Sequence, residues 1–224
     1  MKKFLLGMGL MLTFIVILVL IFLPILNGGN MLEYSDALYN SISKGSADYI
    51  DATRKEVEGF KGPPVSLAME MSDEAQAEKT ALLFEKGGAS VKVAGRNLTV
   101  EGDLGKILLG CLDDSRSMYD NDGQALMARY GYGEKRVMVN WWAAAKAMDK
   151  ALKREKRFDD AKLVTLVQNK AVETAYNFYG IAPQKIGDKL FIVVFSLLFY
   201  VLYTVWYGFA IMFMFEGLGF RLGH

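Results

Sequence analysis

The sequence predicts an α+β fold: a β-α-β-β-α domain with a following helical hairpin, tethered by one N-terminal and one C-terminal transmembrane helix. Three observations carry that expectation. Phe4–Leu26 and Leu190–Phe215 hold no charged residue, and each exceeds the roughly 20 apolar residues a helix needs to cross a bilayer core. Between them, VSLAMEM at Val65–Met71 alternates apolar and polar residues, the period-two signature of a half-buried strand. Much of the remaining chain repeats its apolar residues every three or four positions, as helices do when one face is packed.

The first apolar run follows Lys2 and Lys3. It is longer than the apolar core of a cleaved leader, about 7–15 residues, and no small-x-small site follows in PILNGGN, so residues 4–26 read as an uncleaved signal anchor. The positive-inside rule then puts residues 1–3 in the cytoplasm and residues 27–189 on the periplasmic or extracellular side of an inner (cytoplasmic) membrane. A second span at 190–215 returns residues 216–224 to the cytoplasm, with which Arg221 agrees. Nine residues after that span leave no room for an output domain.

Residues 27–64 read as a helical connector. Leu32, Leu38, Tyr39 and Ile42 mark one apolar face, Ile50, Val57 and Phe60 another, with an interruption at Gly45 and a stop at KGPP, Lys61–Pro64. Residues 65–132 form the small α/β domain. After the strand, Ser72 offers an N-cap, with Asp73 and Glu74 in the first turn, and the helix stops at Gly87-Gly88. SVKV and LTVE, joined by AGRN, read as a hairpin with Val91, Val93, Leu98 and Val100 inward. Asp103 caps a helix carrying Leu104, Ile107, Leu108, Cys111, Leu112 and Ser115 on one face, and YDNDGQALMARYGYG reads as a loop with a short helical piece. Residues 133–189 form a helical hairpin. Its first arm carries Val137, Trp141, Ala144, Ala145, Met148 and Leu152. A turn near Arg157–Asp160 leads to Ala161–Tyr179, carrying Leu163, Leu166, Val167, Lys170, Val172 and Tyr176.

The chain has 26 Lys+Arg against 25 Asp+Glu, a formal net charge of +1, so no basic field for nucleic acid is expected. One Cys and one His leave no pair of His for haem, no His-rich zinc set and no c-type haem attachment within this chain. No cofactor and no metal are expected.

VSLAMEM followed by AQAEKTALLFEKGGASVKVAGRNLTVEGDLGKILLGCL, about residues 65–112, resembles the HPr phosphocarrier family, in which a helix, a hairpin and a second helix follow the first strand. That family's phosphorylated His precedes its first helix, where this chain has Met71, Ser72 and Asp73. The resemblance therefore implies a degenerate docking module without phosphotransfer.

Other motifs have plainer readings. DNDG at Asp120–Gly123 fails as an EF-hand, because Met118 and Arg129 stand where acidic ligands are required, and reads as a polar loop. Met69 and Met71 fall on the inward strand face and read as core filling rather than a copper site. Cys111 lies on an apolar helix face with no base in sight. Asn97-Leu-Thr matches a glycosylation acceptor. Adjacent residues of a helix point about 100° apart, so only one of Trp141 and Trp142 can be core. The other is free to stack on a ligand or partner.

In the second span, Phe191, Phe195, Phe199, Tyr203, Trp206 and Phe213 form an aromatic ridge, and Thr204 and Gly208 make a small-xxx-small pair on another side. Both features predict packing against other transmembrane helices, in a hetero-complex or a homo-oligomer. With no catalytic motif recognisable, the expected function is a non-catalytic membrane-anchored accessory or assembly subunit docking on a larger membrane partner. The alternative is a membrane-tethered binding or sensor module.

Overall fold

The computed structural model describes residues 1–25 and 28–220; the sequence readings that rest on Leu26, Arg221 and His224 lie outside the described residues. The fold is mixed α+β, mostly helical, with one small antiparallel sheet. In chain order the elements are α1 (Lys2–Phe22), α2 (Met31–Ser46), α3 (Ile50–Gly59), β1 (Val65–Glu70), α4 (Glu74–Lys86), β2 (Ser90–Ala94), β3 (Asn97–Gly102) and α5 (Leu104–Tyr119). Then follow α6 (Gly123–Tyr130), α7 (Glu134–Arg154), α8 (Phe158–Val167), a π-helical turn (Gln168–Val172), α9 (Glu173–Phe178), a 3₁₀ turn (Ile186–Lys189) and α10 (Leu190–Gly217). The chain divides into two compact units, Met1–Gly45 with Ala182–His224, and Ser46–Ile181.

In the first unit, α1 and α10 are each long and apolar enough to cross a membrane. α1 ends at Phe22, short of the expected Leu26, because Leu23 turns extended (ψ 139°) ahead of Pro24, and proline neither continues a helix nor tolerates a helical residue before it. The two helices pack antiparallel. Lys3 pairs with Glu216 at 2.8 Å, Trp206 Nε1 donates to Leu10 O at 3.2 Å, and Tyr203 donates to Phe14 O at 3.1 Å while its ring stacks on Phe14 at 4.3 Å. Glycines allow their close approach: a Cβ on Gly7 would lie 2.6 Å from the Met214 backbone nitrogen, and one on Gly217 still closer to that of Phe4. α2 starts with a reciprocal capping box between Asn30 and Glu33 and continues through Gly45, where an interruption was expected.

In the second unit, β3 is the central strand, pairing antiparallel with β1 from Val65↔Gly102 to Glu70↔Asn97 and with β2 from Ser90↔Glu101 to Ala94↔Asn97. Val65, Leu67, Met69, Leu98 and Val100 are buried as their alternation predicts. The hairpin expectation fails on β2, where Val91 is only half-buried and Val93 is 43% exposed. β1 and β3 lie over the core, whereas β2, at the other edge of the three-stranded sheet, lies at its margin. The cap of α4 is Asp73, whose carboxylate accepts from Gln76 N at 2.7 Å. Ser72, the expected cap, instead bonds the Gln76 side chain. Asp103 caps α5 through Lys106 N.

One core collects Ile50 and Val57 of α3, the inward sheet residues, Phe84, Leu108, Leu112, Trp141, Met148, Val164 and Ala175. The segments 65–132 and 133–189 therefore contribute to a shared core up to Ala175. The second arm of the predicted hairpin is not one regular helix. Its buried positions are Ala161, Val164, Val167, Gln168, Ala171, Val172 and Ala175, and Lys170, assigned to the apolar face from spacing, is exposed. The π turn inserts one residue into the 3.6 period and rotates the face.

Candidate functional site

α7 presents Trp141 and Trp142 to opposite environments. Trp141 is fully buried, meets Phe84 edge-on at 5.9 Å and donates Nε1–H to Asp114 Oδ2 at 2.8 Å. It belongs to the core, which removes it from the expected docking surface. Asp114, also fully buried, accepts further bonds from the Tyr130 hydroxyl and Arg129 Nη1, each at 2.5 Å. Three donors from α6 and α7 converge on one carboxylate of α5, which satisfies an interior charge that would otherwise be costly. Burial still pushes this carboxyl above its ordinary range, against the hydrogen bonds of Tyr130 and Trp141 and the Arg129 charge. Nothing in the sequence pattern singled out Asp114. It lies three residues after Cys111 on the same buried helix face, and a charge on an apolar stripe was the available signal.

Trp142 stands outside, 37% exposed. Its Nε1–H donates to Glu173 Oε1 at 2.8 Å, which also receives Gln168 Nε2 at 3.4 Å, and Lys146 Nζ sits 3.9 Å from the ring centroid, a cation–π contact. The ring flanks a cleft of about 380 Å³ lined by Met138, Val139, Val172, Glu173 and Tyr176. Met138 and Val172 form a buried apolar floor, and Tyr176 is 43% exposed. The π turn immediately before Glu173 adds the extra residue that sets the phase of α9 and its Glu173 against α7. The cleft offers an apolar floor, two aromatic surfaces and one carboxylate fixed in place. That is chemistry for binding.

The other sequence candidates resolve into structure. Cys111 is buried, and burial first, then the Asp114 charge, pushes its thiol well up, away from thiolate reactivity. Met69 and Met71 are both 5% exposed, in the core. In the DNDG run, Asp122 caps α6 through Ala125 N at 3.2 Å. Asn121, at φ 67°, clamps the end of this unit by donating to Ile181 O and accepting from Gly180 N. Among the described residues no group of three or more His, Cys, Asp or Glu is placed to hold a metal ion.

On α10, Phe191, Phe195, Phe199 and Tyr203 stack in succession at 6.5, 6.3 and 5.5 Å, and Phe213 stacks on Phe209 at 6.0 Å. Tyr203 and Trp206 carry this ridge into the seam with α1. Thr204 and Gly208 stay outside that seam: both are exposed, and the space a Gly208 Cβ would enter is open. The small residues that do allow close approach are Gly7, Ala210 and Gly217. Comparison with family profiles, curated proteins and solved structures gives no match to this chain.

Proposed function

We propose that this chain is a non-catalytic, membrane-anchored assembly subunit, held in a bilayer by α1 and α10, whose Trp142 cleft receives a partner protein. The observation that carries the reading is the fixed, half-open Trp142 ring. Its N–H is tied to Glu173 and one ring face is covered by Lys146, so little side-chain freedom remains to be lost when a partner covers it. A partly exposed, pre-ordered Trp with an exposed Tyr beside an apolar floor is the composition of a protein-binding hot spot. The antiparallel seam, with Lys3 beside Glu216, supports both ends of the hairpin lying on one side of the membrane. Lys2 and Lys3 favour the cytoplasmic side.

The cleft volume favours one second reading, a tethered module for a small ligand, since such sites span about 300–1,000 Å³. Purifying the full-length chain from its native membrane in mild detergent, as wild type and as Trp142→Ala, separates the two. A membrane protein recovered in stoichiometric amount with wild type and lost with Trp142→Ala is the expected result. A partner retained equally by the variant sinks the cleft as docking site. A chain recovered alone, whose melting rises with a small ligand only when Trp142 is present, supports the second reading.

A further inference from the structure

We propose that the face of α10 carrying Tyr200, Thr204, Tyr207 and Gly208 binds a second copy of this chain side by side in the bilayer. The inference rests on α1 and α10 spanning the membrane, and is independent of the Trp142 cleft.

α10 is free of charge between Lys189 and Glu216, so its midpoint falls near Tyr203 and both Tyr200 and Tyr207 lie about one turn from it. The polar headgroups begin about 15 Å from the midplane, beyond the reach of either phenol. Tyr200 is 69% exposed and Tyr207 43%. Among the described residues, neither hydroxyl has a hydrogen-bond partner. Tyr203 and Trp206, at the same depth, place their protons on carbonyls of α1. Hydrocarbon offers no acceptor, and an unpaired donor there is costly. The two phenols therefore require protein beside them.

The same face supplies what they need. Thr204 Oγ1 spends its proton on Tyr200 O at 2.7 Å, which leaves its oxygen lone pairs to accept. Gly208 has open space where a Cβ would be, so a second backbone can approach closely. Thr204 is one residue, about 100°, around the helix from the Tyr203 seam; Tyr207 borders that seam, its ring 4.9 Å from Phe14 with its hydroxyl unspent, and α1 need not move. Copies inserted in the same sense are related by a two-fold axis along the membrane normal, which sets like residues at equal depth. A helical side chain leans about one turn toward its own N-terminus, bringing the Tyr207 hydroxyl to the level of the neighbour's Thr204. The face thus holds unspent donors and an unspent acceptor, and a second copy pairs the Tyr207 hydroxyl with Thr204 Oγ1 in both directions, with Tyr200 at the edge of the same contact.

The test is energy transfer between full-length chains labelled at the N-terminal amine, in vesicles of phosphatidylcholine and phosphatidylglycerol, as the protein-to-lipid ratio is lowered. Wild type should retain transfer to a roughly tenfold lower ratio than Gly208→Ile, and than the Tyr200→Phe/Tyr207→Phe double variant, which keeps the rings and removes only the hydroxyls. Leu202→Ala, on another side of α10, should match wild type. Wild-type transfer no greater than random proximity, or transfer unchanged in Gly208→Ile and the double variant, overturns the proposal. So does a different membrane protein that co-purifies with wild type and is lost in Gly208→Ile. Extraction of the chain by alkaline carbonate overturns the spanning reading along with it.

Discussion

The two units of this chain solve one problem in opposite directions. In Ser46–Ile181 the large apolar side chains point inward: Leu67, Phe84, Ile107 and Leu112 are fully buried. Polar ring hydrogens follow them in, and those of Trp141 and Tyr130 end on the Asp114 carboxylate. In the α1–α10 hairpin the apolar side chains point outward, Phe191 at 82% exposed and Leu202 at 67%. There the ring hydrogens of Tyr203 and Trp206 end on backbone carbonyls. The first unit keeps a charge in its interior because three donors surround it. The hairpin keeps its charged pair, Lys3 and Glu216, at one end. The difference is one of where apolar area goes: into a shared core in one unit, outward along two helices in the other. Area buried from water stabilises the former; the latter is two helices long and apolar enough to cross a membrane, joined by close packing and backbone acceptors.

The comparison breaks first at Asp114. Asp114→Ala leaves the buried Tyr130 and Trp141 hydrogens without their acceptor and should cost about 2–4 kcal/mol, while Arg129, its side chain 41% exposed, can turn to water. Urea unfolding of the full-length chain in detergent, followed by tryptophan fluorescence, reads it. Asp114→Asn should cost less, because the amide oxygen still accepts one of the neutral donors. A loss under about 1 kcal/mol for the alanine variant would show that the carboxylate is not what ties α5 to α6 and α7.

The hairpin has its own test, of smaller size. Gly7→Leu drives a side chain into the Met214 backbone, and overpacking of this kind costs about 1–3 kcal/mol. Spin labels on α1 and α10 should report wider separation, while urea unfolding of the Ser46–Ile181 unit stays at the wild-type midpoint. An unchanged separation would mean that the contact does not depend on Gly7.

Features written as local periodicity were legible in the sequence: both long apolar helices, β1, the ends of α4 at Gly87, and the Asp103 cap. Features that depend on a neighbour were not. Ser72 and Asp73 are equally good capping residues by type, and only the path of the chain into α4 selects Asp73. Val93 has the alternation of an inward residue, but nothing local tells the covered edge strand, β1, from the edge at the margin of the core, β2. The π turn at Gln168–Val172 defeats a 3.6-residue count, so Lys170 was assigned inward and Glu173, a residue of the candidate site, went unread. Trp141 and Trp142 were legible as a pair of unlike partners. The helical spacing already set Trp141 on the apolar face; its acceptor was not legible, because the three donors of Asp114 lie 15 to 27 residues along the chain.

The finest distinction concerns the protonation of Asp114. Its carboxyl is raised above 3.8 in the folded chain, chiefly by burial, and an unfolded aspartate titrates near the ordinary value. As pH rises from below that value, the unfolded chain loses its proton first. The native state then holds the extra proton, so this group's contribution to stability falls with rising pH until the folded pKa is passed. Acidification from neutral pH through that window should therefore make the Asp114 contribution more favourable, opposite in sign to a carboxylate held by a surface ion pair. The measurement is the difference in urea midpoint between wild type and Asp114→Asn across that range. A difference that moves in favour of wild type as pH falls is expected, since only wild type has the group that takes up the proton. A difference that moves the other way would mean that Arg129, Tyr130 and Trp141 together outweigh desolvation, and that the interior charge is held below its ordinary pKa.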